Sequence, residues 1–388
     1  MTAVHAIQTG ENQMSQVPTK EPVAAHPVHG SAHRLPARTF GSAALLAVAA
    51  MATDAQAALS TPPSALVVFG DSYSDSGSAF ALTGGAYPYP SGRFSDGPVW
   101  VEHLADSLGL AAKPVFAQTS LPGGLDDINS NWAVGGAQIG HGNSGDSGSG
   151  FFYGFPTGMS AQKDYHIAGI ANVETAFGLP AGSLAATVFP SALFVVHTAG
   201  NDFFRWTTQS DPAELAAVIA DSVTAFGALL TDLHNGSGAQ SFLVPNMPGY
   251  AEVDDQFFES VASFRQFAEA FNTALAPQLE TLRNDLGVNI IEVDFFGLFD
   301  DIVANPGAFG LTDVGIPCVD FGAGLSVNSV CSNPGTTLMW DSVHPTSATH
   351  ALLAGAAFEA LQPVPVPGAV WLAGSAMLAL AGIGRRRR

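Results

Sequence analysis

This sequence predicts an α/β fold, a three-layer α/β/α domain with helices on both faces of a central parallel sheet. Three observations predict it. Four short apolar runs, 65–69 (ALVVF), 192–196 (ALFVV), 241–244 (SFLV) and 288–293 (VNIIEV), are near-continuous rather than alternating, as strands buried on both faces are. Stretches with apolar residues at helical spacing separate them, and strands alternating with helices build parallel sheets. Short polar motifs follow the runs, at the strand ends where such sheets bind ligands.

Taken in order, the run 65–69 leads into Gly70-Asp71-Ser72. A helix follows over 100–108, where Trp100, Leu104 and Leu108 recur every fourth position. Gly135-Gly136, in Asn131-Trp-Ala-Val-Gly-Gly, lies on a loop, and the Gly-rich stretch 140–158 reads as a mobile loop near the mouth of the site. The run 192–196 leads to Gly200-Asn201-Asp202. Longer helices are expected over 213–233 and 262–286. A last helix spans 346–361, with Pro345 suited to its first turn. No internal repeat is visible.

The chain has 388 residues, of which 12% are charged and 47% hydrophobic, and 42 are glycine. That composition suits one large core joined by Gly-rich loops, not a disordered chain. The polar motifs fall within one domain spanning 58–362. Residues 1–33 are polar, carry Pro18, Pro22 and Pro27, and read as a disordered leader or as sequence upstream of a misassigned start. Residues 34–57 read as a signal peptide: Arg34 and Arg38 precede the apolar stretch 40–52, and Ala55-Gln56-Ala57 is a small-x-small cleavage site. Residues 363–388 combine Pro363, Pro365 and Pro367 with an uncharged 17-residue run, 368–384, and four terminal arginines. Seventeen residues is the lower limit for a bilayer span, and the arginines hold that end on the cytoplasmic side. The tail is therefore expected to insert in a membrane at least transiently, and the protein to be exported, at the cell surface, in extracellular matrix or secreted.

Without both ends, 6 Lys+Arg face 30 Asp+Glu, a net charge of −24. Such a surface repels phosphate backbones and excludes a nucleic-acid partner. Cys318 and Cys331 are the two cysteines, and in an exported protein they are expected to form a disulfide. Two cysteines and scattered histidines do not make a zinc site.

Four segments carry the chemistry. A serine hydroxyl becomes a nucleophile only when a base takes its proton. Ser72 is the candidate nucleophile and His344 the base, with Asp341 three residues earlier to hold the imidazole in one tautomer. Attack on a carbonyl creates an oxyanion, for which the sequence offers three donors: the N–H of Ser72, the N–H of Gly136 and the side-chain amide of Asn201. Each segment alone has a plainer reading. Asp341 to His344 is also a helix-entry turn, Gly135-Gly136 a simple turn, and Gly200-Asn201-Asp202 an Asx-turn after a strand. Only their company raises them. Asp71 and Asp75 are expected to shape the turn around Ser72, and Arg93 and Trp100 to organise a loop. His197 is expected to be packed or to act indirectly, and His166 to lie at the surface.

The residues 68–77 (VFGDSYSDSG), 92–102 (GRFSDGPVWVE), 131–137, 200–202, and 331–346 from Cys-Ser-Asn-Pro to Trp-Asp-Ser-Val-His-Pro-Thr carry a specific likeness. Over roughly residues 64–361 the chain resembles a GDSL-type lipase/esterase of the SGNH hydrolase superfamily. The resemblance implies a flavodoxin-like layering and a carboxylic ester hydrolase without metal or organic cofactor, acting on an acyl ester, lipid or acetylated polysaccharide; the protein is expected to be a monomer. It makes Ser72 the nucleophile, Gly136 and Asn201 oxyanion donors, and Asp341 and His344 the relay. Two positions depart from the family pattern: Tyr73 replaces the usual Leu, and Ala199 the first Gly of the third block. The tail resembles a PEP-CTERM sorting tail of Gram-negative bacteria, which implies exosortase processing, although Val364-Pro365-Val366-Pro367 lacks the usual Glu. A phospholipase or acyltransferase using the same site, and a non-catalytic glycan- or matrix-binding module, are the rival readings.

Overall fold

Leu66–Phe69 forms an interior strand, β1, because its side chains are apolar on both sides and all four are fully buried. In the computed structural model, residues 58–363 are described apart from 86–88, 90, 118–127, 148–149, 208–210, 250–260 and 322–325. The expected leader and signal peptide, and the expected sorting tail beyond Pro363, lie outside the described residues. Four further strands join β1 in a parallel sheet: β2 (Ser130–Asn131), β3 (Leu193–Val196), β4 (Ser241–Pro245) and β5 (Asn289–Val293), in the order β2-β1-β3-β4-β5. This is the flavodoxin-like order, whose direction reverses at β1/β3. The expected α/β fold with helices flanking a parallel sheet is the one observed.

Helices pack in two groups. Trp100–Leu108 and Phe295–Ala304 lie against Ser347–Leu361, while Met159–Ala176 and Val261–Leu286 lie against Pro212–Ser237. The Pro212 helix starts where Asp211 accepts the Ala213 N–H at 2.9 Å and Pro212 occupies the first position. Ser347–Leu361 starts one residue later than the sequence suggested. Thr346 caps it, accepting from the Thr349 N–H at 3.3 Å, so Pro345 stands outside the first turn.

Two further elements have no counterpart among the elements expected from the sequence. Residues 319–330 hold an antiparallel hairpin, β6 (Val319–Phe321) with β7 (Val327–Val330), and the expected Cys318–Cys331 disulfide closes its base with the Cα atoms 4.7 Å apart. The hairpin also grips the chain beside it: the Cys318 and Val319 N–H groups donate to the Met339 and Trp340 carbonyls at 2.9 and 2.7 Å. The second element is the helix Met159–Ala176, which directly follows the Gly-rich stretch.

Candidate active site

The sheet delivers three of the motifs to adjacent strand ends. Beyond the strands proper, the ladder continues on both sides of β1. Trp132 N–H donates to Val68 O and Val134 N–H to Gly70 O, while His197 N–H donates to Phe69 O. The turn 70–74 therefore sits between the segment after β2, with Gly135 and Gly136, and the segment after β3, with Asn201. This is the switch point where such sheets bind ligands.

Two carboxylates tie these segments together, beyond the local turn-shaping role the sequence suggested. Asp71 accepts from its own turn, at Tyr73 N–H (3.2 Å), and across the strands from Ala199 N–H (2.6 Å). Its carboxylate also meets the Asn201 amide. Asp75 accepts from Gly77 and Ala79 N–H and, across the other gap, from Gly135 N–H at 2.9 Å. On the helix Met159–Ala176, Gln162 clamps Gly70 from both sides, accepting its N–H at 3.0 Å and donating to its carbonyl at 2.8 Å. No motif pointed to Gln162. Its only signal is a polar residue on a buried helix face.

Gly136 has φ +80°, a conformation that favours glycine, and a Cβ there would stand 2.4 Å from Asn143 Oδ1. A Cβ on Gly135 would stand 2.2 Å from the Phe94 ring. Asn201 Oδ1 accepts from Ser144 Oγ at 3.2 Å, so the amide is oriented by the loop 140–158, which does border the site. Ala199, in place of the family's glycine, is buried and donates its N–H to Asp71.

The fourth motif folds back on itself. His344 Nδ1 lies 2.9 and 2.8 Å from the Asp341 oxygens, and Asp341 Oδ1 also accepts the Val343 and His344 N–H groups. Burial opposes ionisation of Asp341. The His344 charge and hydrogen bonds from His344, Tyr89 and Val343 outweigh that, and its carboxyl is held below the usual range. The loop packs against the Ser72 turn: the Tyr73 hydroxyl donates to Val343 O at 3.0 Å, and the Tyr73 and His344 rings are 6.2 Å apart. Ser72 and His344 are both nearly buried, 7% and 9% exposed. Arg93 pairs with Glu102, and Trp100 Nε1 donates to Ser74 Oγ, the organising roles expected of them.

The remaining histidines near the sheet are neutral by burial. His197 and His166 are each pushed down to about 3, and His350 well below its ordinary value. His197 is packed against Trp100 and Phe295, as expected. His166 is not at the surface. It is buried among Phe69, Trp132, Phe189 and Phe194, because it faces the sheet from the helix Met159–Ala176.

Burial pushes Asp71 up from 3.8 to about 6, against the Ala199 and Tyr73 N–H groups, the His344 charge and the Asn201 amide. A carboxyl raised in the folded state stabilises it fully below the unfolded pKa, and that contribution is lost as pH rises through about 6. Asp71→Asn removes the titration. Its stability is expected to gain on the wild type by roughly 2–3 kcal/mol between about pH 4 and about pH 6.5. Thermal melts that fall in parallel over that range would show that Asp71 does not titrate there.

Residues 66–357 match the family model of the GDSL-like Lipase/Acylhydrolase family, and the chain belongs to that family. It is accordingly a hydrolase of ester bonds. A GDSL esterase/lipase of Arabidopsis thaliana is 25% identical over 342 residues, 78% of this chain and 83% of the relative. The thermolabile hemolysin of Vibrio parahaemolyticus is 26% identical over 309 residues, 74% of this chain and 62% of the relative. Among solved structures, a catalytic mutant of the acetylxylan esterase Axe2 from Geobacillus stearothermophilus superposes with a TM-score of 0.38 at 13% identity, covering 79% of this chain and all of that one. That likeness is too slight to bear on substrate.

Proposed function

We propose that the protein is an exported carboxylic ester hydrolase that works through an acyl-enzyme on Ser72. The observation that carries the reading is the buried Asp341–His344 pair lying against the Ser72 turn, at the edge where three adjacent strand ends converge. With Nδ1–H held by Asp341, the imidazole keeps Nε2 as its acceptor and takes the Ser72 proton. The hydroxyl oxygen adds to the ester carbonyl, and the oxyanion is received by the N–H groups of Ser72 and Gly136 and by the Asn201 amide. Gly135 commits its N–H to Asp75, which favours Gly136 for this task. His344 then protonates the departing alcohol. Water, deprotonated by the same imidazole, releases the acid. No step calls for a metal or organic cofactor.

Export is supported by the basic and apolar pattern of 34–57 and by the acidic mature chain, which suits a monomer free of nucleic acid. The Pro-rich, apolar and arginine-ended tail supports sorting to the surface, with exosortase as the processing partner.

Hydrolysis of p-nitrophenyl acetate by wild type and Asn201→Ala tests the reading. Loss of one oxyanion donor is expected to lower kcat by about 10²–10³-fold. An Asn201→Ala enzyme as fast as wild type would remove Asn201 from the oxyanion site.

A further inference from the structure

We propose that Tyr89 is a positioning residue of the relay, its phenol O–H fixing the Asp341 carboxylate against His344. The proposal rests on the ester-hydrolase reading above and extends it to a residue that none of the four motifs contains.

The Tyr89 hydroxyl donates to Asp341 Oδ2 at 2.7 Å, across 252 positions of sequence. The other oxygen, Oδ1, accepts from the Val343 and His344 N–H groups at 2.9 and 2.8 Å, inside the carboxylate's own turn. The torsion that turns an aspartate carboxylate is broad and soft. The turn's backbone donors hold Oδ1 alone, and the turn's one contact to Oδ2, at 2.8 Å, comes from His344 Nδ1, the ring that is itself to be oriented. A donor on the second oxygen, from another part of the chain, sets that plane, and with it the direction in which His344 Nδ1 is held. A phenol suits the task, because it is neutral at working pH and donates without adding a charge that would compete with the imidazolium. Its hydrogen bond is also among the influences that keep Asp341 ionised.

The ring is placed by packing that does not depend on the hydroxyl. Tyr89 is 8% exposed and touches Phe94 and Phe321, with ring centroids 4.9 and 5.7 Å away, and meets the His344 ring edge-on at 5.9 Å. Phe94 in turn lies 5.0 Å from His344 and fills the space left by Gly135. Phe321 ends β6, and β6 also holds the carbonyl of Trp340, the residue before Asp341. One disulfide-closed hairpin thus braces both ends of the Tyr89–Asp341 bond.

The test is Tyr89→Phe in the full-length protein, with steady-state hydrolysis of p-nitrophenyl acetate normalised to sites titrated by the nitrophenolate burst. Normalising to active sites keeps any partial unfolding out of the result. Phenylalanine keeps the ring and removes the hydroxyl that donates to Asp341. The expected result is kcat about 10-fold lower or more, with KM changed by less than about twofold, because the hydrogen bond orients a proton relay and not substrate. In an Asp341→Asn background the same substitution is expected to add no further loss, since residues acting as one unit are not additive. Tyr89→Phe with wild-type kcat overturns the proposal, as does an equal fractional loss with and without Asp341. A wild type that turns over no ester overturns the underlying reading and this proposal with it. An active wild type and an unaffected Tyr89→Phe overturn the proposal alone.

Discussion

Ser72→Ala is expected to abolish p-nitrophenyl acetate hydrolysis, lowering kcat by roughly 10⁵–10⁶-fold, while leaving the folded protein intact. The size follows from what is lost. Without a nucleophile the acyl-enzyme route closes, and the oxyanion donors alone give only a residual acceleration over water. The fold is expected to survive because the turn is held by other atoms. Asp71 and Asp75 gather the surrounding N–H groups, Gln162 clamps Gly70, and the Tyr73 hydroxyl anchors the turn to Val343. None of these bonds uses the Ser72 side chain. Activity measured beside a thermal melt checks both halves. Turnover within tenfold of wild type would remove Ser72 from the reaction.

Asp341→Asn is expected to cost about 10³–10⁴-fold in kcat with little change in KM. An asparagine side chain has the same shape and retains an acceptor for the Val343 and His344 N–H groups, so the turn keeps its geometry. It loses the negative charge beside His344. Its amide nitrogen, turned toward Nδ1, can only donate, which selects the wrong imidazole tautomer and leaves Nε2 protonated and unable to act as base. The carboxylate's low exposure, 4%, makes the loss larger, because no water shell replaces the missing charge. A kcat within about tenfold of wild type would mean that Asp341 only shapes the turn before the last helix, the plainer reading of an Asp-x-x-His segment.

How far the sequence discloses this architecture depends on where the apolar residues stand. Strands β1, β3, β4 and β5 are legible because burial on both faces requires near-unbroken apolar runs. Strand β2 is not. It is two polar residues at the sheet edge, and Asn131 is fixed there by side-chain bonds to Ser74 O and Ser76 Oγ that no periodicity reveals. The helix Met159–Ala176 hides for a related reason. Its buried face includes Gln162, Lys163 and Glu174, each with a specific hydrogen-bond partner, and His166, packed among aromatic rings, so the usual apolar stripe is interrupted. The same helix reverses the expectation for His166.

The four motifs are readable because each is a compact run of chemically distinctive residues; the sheet topology gathers three of them, and the Tyr73–Val343 contact docks the fourth. What they did not reveal is the bracing between them. Asp71 and Asp75 lie inside a motif, yet their reach to Ala199 and Gly135 depends on which strands are neighbours. Gln162 and Tyr89 act from separate segments, the one through both amide atoms and the other through its hydroxyl, and a lone Gln or Tyr carries no spacing signal. The hairpin at 319–330 was likewise obscured, since β7 is exposed along its whole length and lacks the alternation of a half-buried strand.

The central claim is that the hydroxyl of Ser72 is the activated nucleophile, and covalent trapping tests it most directly. The full-length protein is treated with a fluorophosphonate, digested, and its modified peptide identified by mass spectrometry while residual ester hydrolysis is followed. The account predicts a single adduct on Ser72 whose growth parallels the loss of activity. An adduct on a different serine, or undiminished hydrolysis by protein that carries the label at Ser72, would contradict it.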